Sequence, residues 1–172
     1  MAYTPPAVPD APSLSRPSTF EVDTSAFLAW MGNLAQSGID GDGFVRMADV
    51  LGTVSQSGGV PTGALQQYGT NANGQFWRLA SGLQICTQFV SSALSADTAA
   101  GAVYISASEA TWTFPAVFVN SDVSVSCSPR TSNAVWGKGR CTGSTSGAYR
   151  LVSSSSTTAL ISVELSAIGR WY

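Results

Sequence analysis

Near the end of the chain, Ala159, Ile161, Val163, Leu165 and Ala167 form an unbroken apolar series at every second position, alternating with Leu160, Ser162, Glu164, Ser166 and Ile168. A period of two sends successive side chains to opposite faces, so Thr158 to Ile168 reads as a β-strand with one face in a core. The same period begins near residue 64. Phe76 to Ala80 and Leu83 to Val90 flank Ser81-Gly82 and predict a hairpin, with Leu83, Ile85, Thr87 and Phe89 on one face. Asn73-Gly74 is a further tight-turn signal just upstream. Further strands are expected at Ala102 to Ser106, Ala116 to Val119, Asp122 to Ser128 (Val123, Val125 and Cys127 on one face), Ala134 to Gly137 and Ala148 to Val152. Roughly seven to nine short strands broken by Ser, Gly, Asn and Pro predict a mainly β chain with an antiparallel β-sandwich or barrel-like sheet over 64–172. No repeat of solenoid length and no heptad run is present.

The first 63 residues read differently. Five of the eight prolines, Pro5, Pro6, Pro9, Pro12 and Pro17, fall in residues 1–17. Repeatedly fixed φ angles and missing amide donors favour an extended arm, ordered on a partner or left as a flexible tail. Ser18-Thr19-Phe20-Glu21 has the spacing of a capping box, and Phe20, Phe27, Trp30, Met31 and Leu34 then recur at helical spacing until Ser37-Gly38. One amphipathic helix is therefore expected, and an isolated helix of that length needs its stripe covered, by a second copy or by the domain that follows. Asp40-Gly41-Asp42-Gly43 resembles the start of a calcium loop, but Phe44 stands where an oxygen ligand is needed and no glutamate closes it, so no metal site is expected. Ser55 to Gly63 reads as a connector.

Composition excludes several classes. The 172 residues suffice for one domain with a short arm, and 44% apolar content excludes a disordered chain. Solubility comes from hydroxyls, since only 10 acidic and 8 basic residues are present against 41 Ser and Thr. Arg16, Arg46, Arg78, Arg130, Lys138, Arg140, Arg150 and Arg170 are scattered and the net charge is -2, so no nucleic-acid partner is expected. Without a histidine, Ser-His-Asp and Cys-His catalysis and histidine metal sites are excluded. Asp97, Glu109, Asp122 and Glu164 are unpaired in sequence and read as solvated carboxylates. Lys138, the single lysine, lies in Gly137-Lys138-Gly139-Arg140, read as a glycine-rich loop in which water would keep an amine from acting as a base. The chain is thus expected to be no enzyme and to need no cofactor.

Residues Met1 to Pro6 have neither the basic nor the apolar region of a secretory signal, and uncharged stretches such as Leu79 to Ala96 are too polar to span a membrane. A soluble, cytosol-made chain without membrane insertion is expected. Cys86, Cys127 and Cys141 lack CxxC spacing and read as reduced thiols, Cys127 in the core and Cys141 in a loop. Trp136, Lys138 and Arg140, followed by Tyr149 and Arg150, interleave aromatic faces with cations in a way suited to sugars or anionic groups, and Trp112, Trp136, Lys138, Arg140 and Tyr149, in loop-like settings, are the candidate contacts. The same aromatics suit packing as lids over a sheet edge.

Three stretches resemble the tail fibre proteins of tailed bacteriophages and prophages, in particular the small fibres of alphaproteobacterial phages. The first, Tyr68 to Cys86, resembles an N-A-N-G, aromatic, R-x-A-D-G-x-Q-x-C hairpin, with Ser81 in place of Asp. The second is the ending Ile168-Gly169-Arg170-Trp171-Tyr172, preceded upstream by Thr111-Trp112-Thr113-Phe114-Pro115-Ala116-Val117-Phe118. The third is a short T-F-x-x-x-x-x-A-F-L helix within residues 18 to 36.

The resemblance implies a homotrimeric virion protein of the tail, assembled in the host cytoplasm. Its arm 1–17 would dock on a tail-tip or baseplate protein, with Pro5, Pro6 and Pro9 attaching. Residues 18–63, through Phe20, Phe27, Trp30, Met31 and Leu34, would trimerise and link. Residues 64–172 would form a lectin-like tip that meets host polysaccharide or lipopolysaccharide through Trp112, Trp136, Lys138, Arg140 and Tyr149. Trp171 and Tyr172 are assigned to a subunit interface or to packing of the last strand. A capsid decoration or head fibre without a receptor role is the alternative. A polysaccharide depolymerase is disfavoured by the shortness of the chain and the unpaired carboxylates.

Overall fold

The computed structural model describes residues 51–172, together with Leu28, Ala29 and Val50. The expected Pro-rich arm (Pro5, Pro6, Pro9) and the helix stripe Phe20, Phe27, Trp30, Met31 and Leu34 lie outside the described residues. Leu51–Tyr172 is one compact unit, built of strands. In chain order these are β1 (Gln56–Ser57), β2 (Val60–Pro61), β3 (Gln66–Asn71), β4 (Gly74–Leu79), β5 (Leu83–Ala96) and β6 (Thr98–Ala100). They continue with β7 (Val103–Ile105), β8 (Ala110–Thr113), β9 (Ser124–Pro129), β10 (Val135–Gly143), β11 (Ser146–Ser153) and β12 (Thr157–Arg170).

Every strand pairing is antiparallel. One sheet has the order β3-β4-β5-β12-β9, the other β10-β11-β7-β6, with β8 also paired to β11. The long pair β5 and β12 forms the spine of the first sheet, with Ile85 opposite Ile168 and Val90 opposite Val163. The register skips between Thr157 and Val163, and Ser92 takes a φ of 47° with its amide on the Ser162 hydroxyl. That bulge precedes the passage of the chain from β5 into β6 of the other sheet. Of the expected apolar face of β12, Ile161, Val163, Leu165 and Ala167 are buried, whereas Ala159, where the register shifts, is exposed. They share a core with Cys86, Trp112, Phe114, Phe118, Val135, Tyr149 and Leu151, drawn from both sheets and the segment after β8.

Leu83, Ile85, Thr87 and Phe89 share one face of β5 as expected, and it is the outer one. Gln84 and Cys86 are fully buried, whereas Phe89 is exposed and Leu83 and Ile85 lie on the outer side. The reason is the segment expected as a strand at Ala116 to Val119, which pairs with no strand. Pro115 lacks an amide and disfavours helical geometry before it, so the segment's carbonyls need side-chain donors. Gln84 Nε2 donates to the Ala116 carbonyl (2.9 Å), Asn71 Nδ2 to Pro115 (2.8 Å) and Arg78 Nη2 to Val117 (3.3 Å). Arg78 Nε in turn donates to Gln84 Oε1 at 2.7 Å. Polar side chains on β4 and β5 therefore point inward, and the apolar ones of β5 are left outside.

Two further segments depart from expectation. The Ser55 to Gly63 connector contains a small hairpin, β1 and β2, turned through Gly58 and Gly59 at φ 58° and 84°. Gly137-Lys138-Gly139-Arg140, read as a loop, is the middle of β10. Glycine in a strand marks the close approach of another backbone. Here β10 lies against β9: a Cβ on Gly137 would fall on the carbonyl of Cys127, and one on Gly139 would sit 2.5 Å from the carbonyl oxygen of Val125. The two sheets meet backbone to backbone along this edge. Gly137→Ala is therefore expected to cost about 2–3 kcal/mol in urea unfolding. Gly143→Ala, with open space around its Cβ, is expected to stay within about 0.5 kcal/mol. Equal costs would show that the β9–β10 contact is looser than described.

Candidate functional site

Because Gly137 and Gly139 face β9, the residues between them face solvent. Trp136, Lys138 and Arg140 thus stand in one outward row on β10, with Trp136 55% exposed. Pairing with β11 sets Trp136 opposite Val152, Lys138 opposite Arg150 and Arg140 opposite Ala148. Glu109, just before β8, accepts from Arg140 at one oxygen, Nε at 2.9 Å and Nη2 at 2.6 Å. This hydrogen bonding holds the Glu109 carboxyl below its ordinary range, with the nearby charges of Arg150 and Lys138 adding to the effect. The same partner raises the pKa of Arg140. Arg150 Nε is shut off from solvent with no acceptor.

Trp112 and Tyr149, expected beside these residues in loops, are in strands and in the core. Trp112 is 2% exposed; its indole donates to the Asn73 carbonyl at 3.0 Å and meets Phe114 edge-on, with centroids 5.1 Å apart. Tyr149 is 6% exposed, stands opposite Gly139 and has its phenol pKa raised by burial. Strand parity explains the correction. Adjacent residues face opposite sides, so Tyr149 and Arg150 cannot both join the Trp136 row. Of the two, Arg150 is the one that joins the row, opposite Lys138.

The outer face of the first sheet carries a second feature. Tyr68, Trp77, Ile85 and Ile168 are successive cross-strand partners through β3, β4, β5 and β12. Tyr68 and Ile168 are about half exposed, and the Tyr68 and Trp77 rings lie 5.3 Å apart. Two rows further along, a groove of about 560 Å³ is lined by Gln75, Thr87, Phe89, Ser128, Glu164 and Ser166, among others. Arg130 lies 5.3 Å from the Phe89 ring centre and 3.6 Å from Glu164. Among the described residues no three of Cys, Asp and Glu gather as metal ligands.

Within the described residues, the hairpin of the fibre resemblance contacts both the Thr111 to Phe118 stretch and the Ile168 to Tyr172 ending. Asn71, Asn73, Arg78, Gln84 and Cys86 of the hairpin bond to the indole of Trp112 or the carbonyls of Pro115 to Val117. At the other end of the hairpin, Trp171 Nε1 donates to Leu79 (2.9 Å), the Tyr172 hydroxyl to Ala80 (2.6 Å) and Arg170 Nη2 to Ser81 (3.3 Å). Trp171 and Tyr172 thus pack on the chain's own β4–β5 turn. No family model matches the chain, and no curated protein matches it. Among solved structures, the R1 pyocin fibre of P. aeruginosa (C-terminal residues 323–701) aligns over 60% of this chain at 18% identity and TM-score 0.41. The chain spans 28% of that fragment's length.

The strongest nucleophiles present are thiols, and their setting disarms two of them. Cys86, Cys127 and Cys141 are free. Burial pushes the Cys86 and Cys127 thiols up to about 11, leaving almost no thiolate at neutral pH, while Cys141 is only partly buried. At about pH 8 iodoacetamide should modify Cys141 first in the native protein, and all three only in urea. Rapid native labelling of Cys86 or Cys127 by mass spectrometry would contradict this burial.

Proposed function

We propose that this chain is a tail-fibre component that contacts a host cell surface through the outer face of β10 and β11. The observation that carries the reading is the row Trp136, Lys138 and Arg140. An indole left 55% exposed beside two cations serves no packing purpose on a strand whose inner side is already committed to β9. Exposed aromatics next to charged groups suit a sugar surface, where the ring face meets apolar C–H groups and the cations meet oxygens. The sequence resemblance of the Tyr68 to Cys86 hairpin, the Thr111 to Phe118 stretch and the Ile168 to Tyr172 ending adds support from independent residues.

In this reading residues 1–17 attach to a tail-tip or baseplate protein, 18–63 trimerise and link, and 64–172 form the contacting tip. No catalytic step is assigned to it, and it acts as part of the virion tail, assembled in the host cytoplasm. Copies of the chain would meet on the outer row Tyr68, Trp77, Ile85 and Ile168. An antiparallel sheet with its inner face in a core ordinarily turns polar groups outward, and this row does not. It is also uncharged, so like copies bring no like charges together there. Three tethered tips would multiply weak sugar contacts.

Two measurements test the reading. Trp136→Ala with Arg140→Ala should lower adsorption to host cells by about tenfold or more while the assembly state is kept, because aromatic and charged anchors dominate such contacts. Unchanged adsorption removes this face, and location of the chain on the capsid by imaging would replace the tail reading with decoration. Light scattering should give a trimer of the 17.8 kDa chain, and Tyr68→Glu with Ile168→Glu should yield monomers. A monomeric parent protein would overturn the assembly.

A further inference from the structure

On an exposed strand pair, residues directly opposite one another sit close enough that like charges destabilise the pairing. Lys138 and Arg150 are such a pair, and Arg140, two residues along β10, adds a third positive charge to the same face. The chain uses charge sparingly. Residues 51–172 hold six basic side chains (Arg78, Arg130, Lys138, Arg140, Arg150, Arg170), and half of them gather here.

Nothing within the described residues resolves the conflict. Glu109 is the one carboxylate close enough to feel Lys138 and Arg150, and both of its hydrogen bonds go to Arg140. Lys138 and Arg150 form no ion pair among the described residues, and the inner nitrogen of Arg150 lacks any acceptor. Several outward strand positions elsewhere hold an uncharged Ser or Thr, as at Thr87, Ser124, Ser126 and Ser166. A local rule broken without compensation inside the fold marks a place where the compensating group comes from outside.

We propose that this face binds an acidic saccharide, its carboxylate or phosphate seated between Lys138 and Arg150 and its ring on Trp136. The proposal rests on the reading that the β10–β11 face meets the host surface, and it names the ligand's chemistry. Arg150 offers a planar fork of donors and Lys138 a point charge, a combination that suits an oxyanion of either kind. Trp136 lies two residues from Lys138 on the same face, about 6.8 Å along the strand, so one sugar unit can stack on the indole while its acidic group reaches the cations. Glu109 holds Arg140 by hydrogen bonds from both Nε and Nη2.

Retention of the full-length protein on immobilised polygalacturonate, phosphomannan, neutral dextran and duplex DNA tests this. The parent protein should be held by polygalacturonate or phosphomannan but pass through dextran. Retention should weaken about tenfold between about 50 mM and about 200 mM salt, as a few released counterions require. Polygalacturonate alone assigns the carboxylate and phosphomannan alone the phosphate. Lys138→Ser should lower retention about tenfold without lowering the melting temperature, since it relieves the repulsion. Arg150→Ser should do the same, and Lys138→Ser, fully on the surface, remains decisive if the second variant folds poorly. Equal retention on dextran, equally tight binding to DNA, or a melting temperature that falls with Lys138→Ser would each overturn the proposal. Host-cell adsorption that depends on Trp136 and Arg140, with no retention on either acidic polysaccharide, would overturn it while leaving the host-contact reading in place.

Discussion

A fully buried glutamine organises this fold. Gln84 receives a hydrogen bond from Arg78 and gives one to the carbonyl of Ala116, and through it a segment with no strand partner is held against the first sheet. Polar groups in an interior are costly unless paired, and here the cost is met on both sides at once, since the carbonyls of Pro115 to Val117 would otherwise be as badly placed as the amide. Burial lowers the pKa of Arg78, yet a guanidinium keeps its charge in proteins, so its bonds to Gln84 and Val117 are charge-assisted. The segment in turn connects Phe114 and Phe118, packed edge to face with centroids 5.1 Å apart, whose amides donate to the carbonyls of Thr145 and Ser144. Loss of Gln84 would therefore loosen the hairpin, the aromatic stack and the turn between β10 and β11 together.

The resemblance motifs and the proposed contact face occupy different parts of the molecule for a reason. The motif residues are those whose side chains answer backbone groups: Asn71, Arg78 and Gln84 toward Pro115 to Val117, and Arg170, Trp171 and Tyr172 toward Leu79 to Ser81. Their identity is dictated by the fold, because each must present a donor at a particular place. Of the outward row on β10, Arg140 bonds to Glu109, while Trp136 and Lys138 make no side-chain hydrogen bond among the described residues. Resemblance in the first group thus speaks to architecture, while the chemistry of contact is written in the second.

Much of the fold was legible where period two coincided with burial. Ile161, Val163, Leu165 and Ala167 were readable because their outward neighbours are mostly polar, and Cys127 because Val123 and Val125 share its parity. Period two does not show which face of β5 is buried, because the inner one meets carbonyls and so glutamine and cysteine point in. It failed on β10 because glycine is usually a turn signal, and only the nearness of Cys127 and Val125 of β9 makes it a strand residue. Of the candidate contact residues, Trp136, Lys138 and Arg140 share an outward face because alternation puts them together. Trp112 and Tyr149 lie in the core, since a tryptophan or tyrosine is equally at home under a sheet or above it, and of the adjacent Tyr149 and Arg150 only Arg150 faces outward.

The glycine-backed strand also separates two kinds of inheritance. At positions 137 and 139 the second sheet leaves no room for a side chain, whereas at 136, 138 and 140 the side chain points to solvent, Arg140 meeting only Glu109 there. A mutation that strikes the first kind is purged as a folding defect; one that strikes the second is nearly invisible to stability. A lineage carrying this fold can therefore explore new surface chemistry one codon at a time, along a single strand, with the scaffold held constant beneath it.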